Sequence, residues 1–179
     1  MLRTTAPERS EAAEYYFTYI NQVPAGDIIQ ILDAQAGPYV ELLSGISEQQ
    51  SLHRYEPGKW SIREVAAHIN DTERLFGSRA FWFARGFDSP LPSFDQNIAM
   101  ASCGADARSL ASLIEEFRAI RSATLTLFGN LPEDAWLRAG IASDNPFTVR
   151  ALAFIAAGHV VHHAKILRER YLSVAAPVS

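Results

Sequence analysis

Apolar residues recur at helical spacing over four long stretches of this chain, and nowhere alternate every second residue for long enough to build a sheet. A helix with one apolar stripe must bury it against a neighbour, so the pattern predicts an all-α protein, a four-helix bundle. The first stretch spans 27–43, with Asp27 placed to cap it and Gly37-Pro38 a point where it could kink or divide. The second spans 61–85. Ser61-Ile62-Arg63-Glu64 has the form of a capping box, and Gly86 ends the stretch. The third, 107–128, carries Leu110, Leu113, Ile114, Phe117, Ile120 and Leu127, and the fourth runs from Pro146 to residue 171.

The segments between are long. Residues 87–104 contain Pro90, Pro92 and Gly104 and read as a loop of the kind that often carries function. Residues 129–145 read as a connector with one short turn near Pro132. Connectors of this length could carry crossovers. The expected organisation is a partly helical N-terminal extension (1–26), a helical domain (27–171) and a C-terminal tail (172–179), frayed over 175–179.

Composition narrows the function classes. Apolar residues make up 48% of the chain, enough to offset the entropy of ordering. A net charge of −4 gives no basic excess, so no nucleic-acid partner is expected. The single cysteine, Cys103, excludes an intrachain disulfide framework and a Cys-rich zinc module. Neither a secretory signal nor a membrane-spanning run is visible, and a soluble cytoplasmic protein is expected. Phosphate-binding glycine loops and Gly-x-Ser-x-Gly are absent from the sequence.

The five histidines carry the strongest chemical signal. His159, His162 and His163 crowd into the last helical stretch. At about 100° per residue, positions four apart are neighbours on one face, so His159 and His163 lie together on the apolar side. Two imidazoles there must find hydrogen-bond partners, and one shared metal ion satisfies both. Neutral imidazole suits zinc, nickel, iron(II) or copper. A third ligand should come from another helix, and His68, beside the core stripe of the second, is the best candidate. His162, on the flank, reads as a surface or supporting residue, or as a replacement for His163. His53 reads as solvated. Asp71, one turn after His68, is a candidate catalytic residue that orients a water or accepts an imidazole N–H; otherwise it is a surface carboxylate.

Two segments resemble a known family. Lys59-Trp60-Ser61-Ile62-Arg63-Glu64-Val65-Ala66-Ala67-His68-Ile69-Asn70-Asp71-Thr72-Glu73 resembles the second helix of the DinB-like superfamily. Phe147-Thr148-Val149-Arg150-Ala151-Leu152, with Gly158-His159-Val160-Val161-His162-His163 after it, resembles that family's last helix. The resemblance implies a four-helix bundle with long connectors and a divalent metal held by His68, His159 and His163. The superfamily includes bacillithiol transferases and mycothiol-dependent maleylpyruvate isomerases, and its members are often dimers. It therefore implies a small-molecule substrate, a low-molecular-weight thiol among the candidates, and a homodimer. The reactions to weigh are thiol S-transfer and metal-dependent hydrolysis, against a non-catalytic metal-binding module.

Overall fold

Asp27, Ser61, Ser109 and Thr148 each precede an apolar helical run, and each caps a helix by accepting a backbone N–H two or three residues on. At Ser61 the cap is reciprocal, because Glu64 reaches back to the Ser61 amide. The computed structural model describes residues 2–173. Its helices are α1 (Phe17–Ile20), α2 (Ile28–Ser44), α3 (Ile62–Ala84), α4 (Gln96–Ser102), α5 (Leu110–Gly129) and α6 (Val149–Ile166). A π-helical turn, Leu167–Leu172, continues α6. The tail expected at 175–179 lies outside the described residues.

The four long helices form the bundle. Helix α3 packs on α5 and α6, and α2 packs on the same two. Two of the pairs consecutive along the chain, α2 with α3 and α5 with α6, are therefore diagonal, and the long connectors between them carry the crossovers. No helix among the described residues is long and apolar enough to cross a membrane.

Three details differ from the sequence expectation. Helix α2 passes through Gly37-Pro38 undivided. Ala34, Gly37 and Pro38 all lie on its exposed face, where a carbonyl that loses its amide partner is open to water. The expected loop at 87–104 contains α4, whose first amides are capped by Asp95. The connector before α6 forms a hairpin, β1 (Ala139–Ala142) and β2 (Asn145–Thr148). Its strands of four residues are too short for alternation to show. Ser143 and Asp144 both have positive φ, the mark of a type I′ turn. Gly140 lets the hairpin lie on α3, since a Cβ there would fall 2.1 Å from the Phe83 ring.

The apolar core has two halves. One gathers Leu32, Phe76, Phe128 and Phe154. The other gathers Tyr39, Ile69, Phe117 and Val160. On every long helix the boundary between the halves is polar: Gln35 on α2, His68, Thr72 and Glu73 on α3, Arg121 on α5, and His159 on α6. Arg121 donates to both Glu73 oxygens (2.7 and 2.8 Å) and to the Leu32 carbonyl. Gln35 donates to the Ala157 carbonyl at 2.9 Å. A polar layer thus crosses the bundle and ties all four helices together at the height of the histidines.

Candidate metal centre

His68 projects from α3, and His159 and His163 project one turn apart from α6, into the polar layer. The Nε2 atoms of His68 and His163 each lie 3.1 Å from His159 Nε2. Among the described residues these three form a group able to hold one metal ion, with ligand atoms all within 4.8 Å of one another. A tetrahedral ion with bonds of about 2.0–2.1 Å sets its nitrogens about 3.3 Å apart, which matches the convergence.

The protonation states fit the same role. Burial pushes the His68 pKa down to about 4. Burial, then the neighbouring imidazoles, pushes His163 down to about 3 and His159 well below the ordinary histidine value. All three are neutral at neutral pH, the state that ligates. Thr72 Oγ1 donates to the His68 carbonyl at 2.7 Å. Its proton is thereby committed, and it accepts from His159 Nδ1–H at 3.2 Å. That tautomer leaves the His159 Nε2 lone pair facing the other two rings.

Neighbouring segments hold the rings in place. Tyr19 of α1 packs edge-on against His159 and His162, with centroids 5.2 and 5.3 Å away. Its backbone presses on α6 at Gly158, where a Cβ would lie 2.1 Å from the Tyr19 carbonyl oxygen. The N-terminal segment is bound to α6 a second time by Glu11, which takes Arg150 Nε at 3.0 Å and the Thr148 hydroxyl at 2.7 Å. His162 sits on the flank of α6, its Nδ1 3.4 Å from Gln22 Nε2. His53 is exposed.

A cavity of about 430 Å³ opens beside the histidines. His68, Thr72 and His159 line it together with Tyr16, Phe76, Phe94 and Arg79. Asp71 does not join them. Its carboxylate lies 3.7 Å from Arg74, in a second cavity of about 550 Å³ that also holds Arg108, Glu116 and Cys103. Leu75 and Phe94 line both spaces. The expected hydrogen bond from an imidazole to Asp71 is not formed: Thr72 takes the His159 N–H, and His68 Nδ1 has no partner among the described residues. Asp71 lies about 60° around α3 from His68, and Leu75 falls between them, so the carboxylate sits on the far side of the Leu75 wall.

Sequence reasoning missed two contributors, Thr72 and the Glu73–Arg121 pair; of the arginines that could line a substrate pocket by sequence, Arg63, Arg74, Arg79 and Arg150, the cavity beside the histidines takes Arg79. Thr72 four residues after His68, and two charges on core stripes, were the available signals.

A family model described as the DinB superfamily matches residues 31–167. No curated protein matches the chain. Among solved structures it resembles YfiT from Bacillus subtilis, described as a probable metal-dependent hydrolase with an unusual four-helix bundle topology. The TM-score is 0.75 at 14% identity, over 98% of this chain and 99% of that one. It also resembles a mycothiol-dependent maleylpyruvate isomerase, with a TM-score of 0.67 at 14% identity, over 82% of this chain and 61% of that one.

Proposed function

The chain belongs to the DinB superfamily, and from that premise we propose that it is a divalent-metal-dependent enzyme that transfers a low-molecular-weight thiol to a small electrophile. The observation that carries this reading is the convergence of three neutral imidazoles, His68, His159 and His163, beside a cavity large enough for a substrate. These three residues would hold the ion. Bound there, the ion supplies Lewis acidity that keeps a thiol ionised at neutral pH.

The chain's own residues do the rest. Thr72 holds the His159 tautomer, and Tyr19 fixes the ring against rotation. Phe76 and Phe94 give the cavity apolar walls that keep water from competing with the sulfur. The sulfur forms the new bond to carbon, the leaving group departs with its electron pair, and the thiol proton passes to solvent. Thiol is favoured over water by its acidity. A thiol needs to be lowered from a pKa of only about 8.5, whereas water starts at about 15.7.

The test is zinc-loaded protein assayed with bacillithiol, mycothiol, glutathione or coenzyme A and 1-chloro-2,4-dinitrobenzene. Turnover with one of these thiols, abolished by His159→Ala and by a chelator, is expected. Ester or amide hydrolysis without any thiol would replace this reading by the hydrolase one, which the full-length likeness to YfiT supports. Inactivity in every assay would leave a non-catalytic module. The proposal extends to a homodimer, which a single-chain mass by light scattering would reject.

A further inference from the structure

Four arginines are buried among the described residues: Arg63, Arg79, Arg121 and Arg150. Three of them meet a carboxylate. Arg63 pairs with Glu48, Arg121 with Glu73, and Arg150 with Glu11. Arg79 is only 2% exposed and has no carboxylate partner among the described residues. Its Nη2 donates to the Pro92 carbonyl (3.2 Å) and to Ser143 Oγ (2.8 Å), and the Tyr16 side chain is an electrostatic neighbour. Its Nε–H has no acceptor among the described residues. A buried cation left without a counter-charge is costly, and the other three sites show how this fold otherwise avoids that cost.

Arg79 also lines the cavity that the histidines line. His68, Thr72 and Arg79 follow one another on one side of α3, with His68 and Arg79 about 16 Å apart along the axis. The geometry points to Arg79 as the anchor for an anionic oxygen group, a carboxylate or phosphate, at the end of the substrate remote from the histidines. The counter-charge absent among the described residues is then brought by the ligand, and a planar guanidinium suits either oxyanion. The aromatic walls between the two ends fit an apolar body. The inference deepens the proposed function by naming the substrate class; its reacting end rests on that reading, and its anchored end does not.

Titration calorimetry with benzoate, phenyl phosphate and neutral benzamide tests it, on metal-free and on zinc-loaded protein. At least one anion should bind the metal-free protein about tenfold or more tighter than benzamide. Arg79→Gln should abolish that preference while zinc affinity stays unchanged. Equal binding of anions and amide, no binding of any probe, or a preference that survives Arg79→Gln would overturn the anchor. Should that variant not fold, Arg79→Lys keeps the charge without the fork; it should bind the preferred anion about tenfold more weakly, and undiminished binding would reject the anchor. A protein that keeps the preference but binds no zinc would reject the metal reading alone.

Discussion

Thr72 Oγ1 joins two of the three histidines, donating to the His68 carbonyl at 2.7 Å and receiving His159 Nδ1 at 3.2 Å. One hydroxyl therefore sets both the local backbone of α3 and the tautomer of a ring on α6. Replacing it with a methyl group leaves the size unchanged and the buried Nδ1–H unpaired.

Thr72→Val is expected to lower zinc affinity about 10–100-fold, and Thr72→Ser to restore most of it. Asp71→Asn should leave zinc affinity unchanged, since Asp71 faces Arg74. Competition with a chromogenic chelator measures all three. An unchanged Thr72→Val affinity would show that His159 is oriented by other means.

Glu73 and Arg121 are each 2% exposed and paired through two hydrogen bonds. Glu73→Gln or Arg121→Met alone should cost about 3–5 kcal/mol in urea unfolding, because each leaves a buried polar group uncompensated. The double replacement Glu73→Leu with Arg121→Met should recover much of that loss. Additive losses would contradict a mutually dependent pair.

Gly158→Ala should destabilise the protein by about 1–3 kcal/mol through overpacking against the Tyr19 backbone. Without that contact, alanine within a helix would be stabilising by about 1 kcal/mol, so the sign of the change decides. Limited proteolysis should cut the first 26 residues faster in the variant.

Acid should weaken the metal-free protein early. His68 and His163 have folded values of about 4 and 3, below the ordinary 6.5, and His159 is depressed as well. Unfolding therefore takes up protons below pH 6.5. Stability is fully present above that pH and falls as pH drops toward the folded values, by about 1.4 kcal/mol per pH unit for each histidine. Denaturant midpoints from pH 7.5 to pH 4.5 measure it. His68→Gln should flatten the slope, and an unchanged slope would contradict the assignment.

Much of this was legible in the order of residues. Helical spacing, the caps at Asp27 and Ser61, and the four-residue step from His159 to His163 are local properties. Each depends only on how nearby side chains are carried by a helix. They determine a helical bundle with two imidazoles on one face, and they make His68 a candidate partner. Other features have no local cause. The hairpin at 139–148 depends on Gly140 meeting Phe83, and the continuity of α2 depends on Pro38 facing water. Whether His68 reaches His159, whether Thr72 or Asp71 receives the imidazole proton, and whether Arg79 finds a carboxylate all depend on which helices lie beside which. Contacts between residues 87 or 91 positions apart are decided by packing across the bundle, and only the tertiary structure supplies that.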